Sequence, residues 1–145
     1  VLEAAKEVGL MEAALDYALE YTAGRKAFGQ EIAKFQGVSF TIAEMAFECR
    51  GAKHLVWEAA CRVEEKGRAA ESIAWRALAR AHRSLRYVTD QAVQMLGGHG
   101  YVQEYPTEKW MRDAEAQVML YGRERDWLIR RGEQLLSQQK ERVAP

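Results

Sequence analysis

Apolar residues recur along this chain in steps of three and four. Phe35, Val38, Ile42, Met45, Cys49, Ala52, Val56, Ala59 and Val63 form one continuous stripe, the spacing that gathers side chains on one face of a helix with ~3.6 residues per turn. Ala74, Leu78, Ala81, Leu85, Val88, Ala92 and Met95 repeat the pattern further on, and Ala4, Val8, Met11, Leu15 and Ala18 open the chain with it. Met111, Ala114, Val118 and Tyr121 begin a fourth, shorter run. No segment alternates with the period of two that marks a strand. Breaks are expected over 29–33, around Lys66 and Gly67, and where Gly97, Gly98 and Gly100 end one helix before Pro106 opens the next. Short connections between long helices favour antiparallel neighbours, so the pattern predicts an all-α fold: an up-down-up-down four-helix bundle with a short extra C-terminal helix. Residues 1–137 are assigned to the bundle and 138–145 to a solvated tail.

The 145 residues suit a single domain with one core. Its 21 basic and 21 acidic side chains cancel, which leaves no field to gather nucleic acid and no polybasic patch for a membrane surface. No apolar run approaches the roughly 20 residues needed to span a bilayer. Cys49 and Cys61 lie twelve residues apart in one helical pattern, hence ~18 Å apart at 1.5 Å per residue, beyond disulfide reach. They read as small core residues in a reducing, cytoplasmic compartment. The helical pattern is already running at Val1, without a capping residue, as expected of a piece of a longer protein.

Several candidate sites dissolve on inspection. Di-metal bundles place a Glu three residues before a His, but Gly51, Ala79 and Leu96 stand before His54, His82 and His99. Arg76, Arg80 and Arg83 form a basic stripe best read as a solvated face, or one paired with acids such as Glu44 and Glu48, rather than as a phosphate track. His54 and Glu58 are spaced for a surface pair. Two connections concentrate special residues instead. In "RKAFGQEIAKFQ", Arg25 and Gln36 can donate to a phosphate or a purine edge, or Gly29 makes an ordinary turn with Phe28 and Phe35 plugging the bundle end. In "QMLGGHGYVQEYPTEKWMRDA", glycines either open backbone amides to a ligand or simply end a helix.

Taken in order and spacing, "RKAFGQ", "FQ", "IAEMA", "AVQMLGGHGY" and "EYPTEKWMRDA" resemble the C-terminal helical domain of the acyl-CoA dehydrogenase flavoproteins, over about Leu10 to Tyr121. The resemblance implies a four-helix bundle, an FAD cofactor lying between subunits of a homodimer or homotetramer, and an acyl-CoA substrate dehydrogenated at its α,β bond. Residue by residue it implies that Arg25 meets phosphate, Gln36 the adenine end, and Gln94 with Gly97 and Gly98 the nucleotide backbone, with Phe28 among the cofactor contacts. Tyr101, Glu104, Pro106, Arg112 and Asp113 are assigned to shaping the turn, Arg112 and Asp113 as a local pair.

The resemblance also exposes a departure. Most members carry the catalytic base as the Glu of a Tyr-Glu-Gly-Thr motif, and here that position is Gly122, within "LYGRER". No catalytic residue is therefore assigned within the chain, and the base is expected upstream of Val1, where other members hold it. The alternative is a non-catalytic partner subunit or helical oligomerisation module that keeps the bundle without turnover.

Overall fold

A computed structural model describes residues 1–64, 68–122 and 124–143. Helix α1 spans Leu2–Gly24, α2 Gln36–Cys61, α3 Arg68–Leu96, α4 Thr107–Leu120 and α5 Glu124–Val143. A two-residue hairpin, β1 (Lys26–Ala27) against β2 (Gln30–Glu31), and a 3-10 turn over Ile32–Lys34 join α1 to α2. The break expected around Lys66 and Gly67 lies outside the described residues.

The stripes read from the sequence supply most of the core, but Ala14, Ile73 and Ala77 join it, while Leu15, Ile42, Leu78 and Met95 are only partly buried against it and Ala74 is half-buried. Ala4, Val8, Met11, Ala14 and Ala18 of α1 meet Met45, Cys49, Ala52, Val56 and Ala59 of α2, and both meet Ile73, Ala77, Ala81, Leu85, Val88 and Ala92 of α3. Helix α3 packs against α1, α2, α4 and α5. It therefore buries further positions off its main stripe, among them Ala79, His82, Ser84, Thr89 and Val93. Alanine at so many of these contacts lets neighbouring helices approach without interlocking long side chains. Thr89 is tolerated inside because its hydroxyl donates to the Leu85 carbonyl at 2.8 Å.

Side-chain pairs fix the helix directions. Glu58 meets Arg76, Glu48 meets Arg80 and Glu44 accepts from Tyr87, each at 2.7 Å, so residue numbers fall along α2 as they rise along α3. Those two helices are antiparallel. Glu7 lies beside His82, and Tyr21 near the end of α1 reaches His99 just beyond α3. Numbers rise together, so α1 and α3 are parallel, as the up-down-up-down order requires. The basic stripe is thus an inter-helix ion-pair face for Arg76 and Arg80.

The structure corrects several local expectations. Val63 lies beyond the end of α2 and is exposed, and so is Cys61. Cys49 is the core cysteine; burial first, then Glu12, Asp16 and Glu48, push its thiol up to about 12. His54 Nδ1 lies 2.7 Å from the Arg50 carbonyl, while its expected partner Glu58 is taken by Arg76. Arg112 pairs with Glu108 and Asp113 with Lys109, each one helical turn away, not with each other. The Arg112 hydrogen bond holds the Glu108 carboxyl below its usual range. The C-terminal helix is longer than expected: α5 has 20 residues against 14 in α4, and it continues through Val143 into the segment read as tail.

One feature of the core had no sequence signal. Glu7 and His82 are both fully buried, with His82 Nδ1 2.8 Å from Glu7 Oε1. The two atoms are in ion-pair contact but poorly aligned, and neither side chain makes a well-formed hydrogen bond. Removing one member strands the other in an apolar interior, which typically costs ~3–5 kcal/mol, whereas replacing both with apolar side chains is often neutral. In urea unfolding we expect Glu7→Met or His82→Leu alone to destabilise by about that amount, and the double variant by less than either. Simple addition of the two single effects would show that the pair is not coupled.

Candidate cofactor-binding site

The site begins where α1 stops. The Arg25 amide closes the last turn on the Tyr21 carbonyl at 2.9 Å, but Arg25 itself is extended (φ −76°, ψ 128°) and leads out of the helix. The chain then reverses at Phe28 and Gly29, with φ of 51° and 83°. Two successive positive φ values are the signature of the two-residue turn that matches strand twist. Glycine takes this conformation freely, but an aromatic residue does so at a steric cost. The turn holds Phe28 outward at 97 % exposure, its ring 6.3 Å from Phe35 and perpendicular to it. Phe28 does not plug the bundle.

The second half of the site is the end of α3. Gly97 adopts φ 58°, the left-handed conformation that commonly ends helices. A 3-10 turn follows over Gly97–Tyr101. Gly100 is required by contact: a Cβ there would stand 2.3 Å from the Val93 carbonyl oxygen. Gly98 is different. Its φ is not positive and a Cβ would meet nothing within 4 Å, so no contact within the chain demands glycine at that position.

An aromatic cluster joins the two halves. Tyr21 Oη lies 2.6 Å from His99 Nδ1 across 78 residues of sequence. Tyr105 completes the group, with its ring 5.0 Å from His99 and 6.2 Å from Tyr21. Beside the cluster is a cavity of about 450 Å³ whose lining includes Tyr21, Arg25, Gln94, Gly97, Gly98 and His99. Tyr21 and Arg25 also border a second cavity of about 360 Å³ with Tyr17, Glu20 and Gly24. The Arg25 side chain has no partner among the described residues. Four of the six expected cofactor contacts, Arg25, Gln94, Gly97 and Gly98, therefore share one cavity. Gln36, the exposed first residue of α2, and Phe28 stand outside its lining.

At the expected base position, Gly122 has φ 96°, and a Cβ would lie 3.2 Å from the Trp127 ring. Trp127 Nε1 donates to the Gly122 carbonyl at 3.2 Å. The indole occupies the space beside the position at which a carboxylate side chain would begin.

Comparison with known proteins decides the family. The family model described as acyl-CoA dehydrogenase, C-terminal domain, matches residues 1–125. The chain belongs to the acyl-CoA dehydrogenase family. It is 39 % identical over 119 residues to the short-chain specific acyl-CoA dehydrogenase of Megasphaera elsdenii, covering 82 % of this chain and 31 % of that protein. To the mitochondrial short-chain specific enzyme of Sus scrofa it is 40 % identical over 119 residues, covering 82 % and 29 %. The solved structure of butyryl-CoA dehydrogenase from M. elsdenii superposes with a TM-score of 0.87 at 38 % identity, over 92 % of this chain and 35 % of that one. This acyl-CoA dehydrogenase domain thus spans about a third of the length of these relatives. Among the described residues no helix is long and apolar enough to cross a membrane.

Sequence reasoning missed Tyr21, His99 and Tyr105 as a unit. The available signal was that Tyr21 stands in the last turn of α1, four residues before Arg25, while His99 interrupts the glycine run. The glycine roles separate in a simple unfolding experiment. Gly100→Ala should destabilise by ~1–3 kcal/mol through overpacking against Val93, whereas Gly98→Ala should be neutral or stabilising by up to ~1 kcal/mol. Equal losses at both positions would contradict the geometry.

Proposed function

We propose that this chain is the FAD-contacting and oligomerising domain of a longer flavoprotein that dehydrogenates acyl-CoA thioesters at the α,β bond. The observation that carries the reading is the convergence of an unpartnered Arg25 with Gln94 and Gly98 on one cavity. Arg25 supplies a planar, permanently charged donor for phosphate. Gln94 and the amides around Gly97 and Gly98 suit the nucleotide backbone, which a side chain at 98 would hold away. Gln36 reaches the adenine end from the start of α2, and exposed Phe28 offers an aromatic face to whatever crosses the hairpin. Bound FAD would supply the hydride acceptor for the dehydrogenation, and these residues bind and orient it.

Assembly and catalysis involve surfaces and groups beyond the cavity. Phe40, Phe47 and Trp57 on α2 and Leu128, Ile129, Leu135 and Leu136 on α5 are exposed, apolar faces suited to a second copy of the chain in a homodimer or homotetramer and to the rest of the longer protein. The catalytic base belongs to a segment outside these residues, since Gly122 carries no side chain. Free Cys49 and Cys61 suit a cytoplasmic setting.

A second reading, a non-catalytic partner subunit, draws support from position 122. The positive φ of Gly122 and the Trp127 ring beside it leave no room for a carboxylate without rearrangement.

In the longer protein, Arg25→Ala should weaken FAD binding by ~1.5–3 kcal/mol, the loss of a charge-assisted contact, and Gly98→Ala should weaken it while leaving stability intact. Both are measured by flavin titration of the apoprotein. Anaerobic addition of a panel of acyl-CoA thioesters should bleach the bound flavin. Retained flavin affinity in both variants would refute the site, and tight flavin without bleaching by any thioester would favour the partner subunit.

A further inference from the structure

Two further polar side chains, Tyr21 and His99, line the cavity beside Arg25 and Gln94. His99 borders the same space as Arg25, and among the described residues only one of its ring nitrogens is engaged: Nδ1, 2.6 Å from the Tyr21 hydroxyl. The imidazole is held on a second side by the Tyr105 ring at 5.0 Å and 31°. Tyr105 in turn meets Tyr21 edge-on at 6.2 Å. The ring is thus fixed in orientation by two elements, α1 and the turn leading to α4.

We propose that His99 is a phosphate donor of the dinucleotide site, with Tyr21 as the positioning residue that sets its tautomer. The proposal rests on the assignment of the cavity to FAD. A phenol can donate to Nδ1 or accept from it. When Tyr21 donates, the imidazole proton sits on Nε2, and that nitrogen becomes a donor. In the opposite arrangement Nε2 presents a lone pair to the ligand, which an anion disfavours. The cavity lining includes the Arg25 guanidinium and no carboxylate among the described residues, so its chemistry selects an anionic group and with it the Nε2–H form. Arg25 and His99 then approach the pyrophosphate from the two structural halves, one at the end of α1 and one beyond the end of α3. Gly97 and Gly98, immediately before His99, put no side chain into the cavity that the three residues line.

The test uses the longer protein that carries this domain, with FAD added to the apoprotein. His99→Phe keeps an aromatic ring against Tyr105 and removes both nitrogens. His99→Asn keeps a polar atom close to the Nδ1 position, within reach of Tyr21, but has nothing at Nε2. Both should weaken FAD binding about five- to tenfold, the loss of one hydrogen bond. Tyr21→Phe should weaken it by a similar or smaller factor, and the Tyr21→Phe/His99→Phe double variant should be no weaker than His99→Phe, because Tyr21 acts through His99. In the FAD-bound wild type, the nitrogen NMR spectrum of labelled histidine should show His99 protonated at Nε2, a signature that Tyr21→Phe should disperse. Wild-type affinity in His99→Asn would overturn the proposal and reduce His99 to a latch. Arg25→Ala separates the two levels of argument. If it loses FAD while both His99 variants bind normally, only the His99 role fails; if it also binds normally, the cofactor site itself fails.

Discussion

The arrangement depends on the burial of α3. A helix with neighbours on several sides keeps only a narrow solvent face, here Arg83, Arg86, Asp90 and Gln94, so its other side chains must be small, apolar or self-satisfied. Ala77, Ala81 and Ala92 meet the first two demands, and Thr89 meets the last by bonding back to Leu85. Close approach of α1 to α3 follows, and with it the proximity of their C-terminal ends. Arg25 and the glycine turn that starts at Gly97 are seventy-two or more residues apart in sequence, yet they border one cavity because these two parallel helices finish side by side.

The glycine turn shows how one short motif answers several demands. Gly97 is set by backbone conformation, Gly100 by the Val93 carbonyl, and Gly98 by neither. Local geometry therefore explains two of the three without reference to any ligand. The residue left unexplained is the one that points beyond the chain, and it sits between two that make the turn possible. A similar contrast separates Gly29, which eases the hairpin, from Phe28, which accepts a left-handed φ to keep a ring in solvent.

Much of the bundle was legible because burial imposes a period. The stripes of α1, α2 and α3 were visible as steps of three and four, and most of their members lie in the core or pack against it, although on α3 the buried residues at its start are Ile73 and Ala77 rather than Ala74 and Leu78. What periodicity could not show was the second buried face of α3, since several neighbours blur a single stripe. It also failed at ends: Val63 and Cys61 continue the pattern in sequence but lie at or past the last turn of α2. Charge pairing was legible only as a sign. That acids would meet Arg76 and Arg80 was foreseeable, but Arg76 rather than His54 as the partner of Glu58 is a matter of three-dimensional register. Arg25, Gln94, Gly97 and Gly98 were recognisable as motif residues, while the Tyr21–His99 contact joins positions 78 apart and no local spacing announces it.

The buried Glu7–His82 contact has a consequence for distant geometry. The many alanines of α1 and α3 leave axial sliding opposed mainly by the larger core residues Val8, Met11, Leu85 and Val88, which a shift of one turn, ~5.4 Å, would repack. The same shift would separate Glu7 from His82 and leave two polar groups alone in the interior, an outcome far more costly than any repacking of methyl groups. The contact therefore acts as a stop on translation of α1 along α3. Arg25 lies eighteen residues beyond Glu7, ~27 Å along the helix, so a polar contact near one end of the bundle sets the height at which the guanidinium emerges at the other.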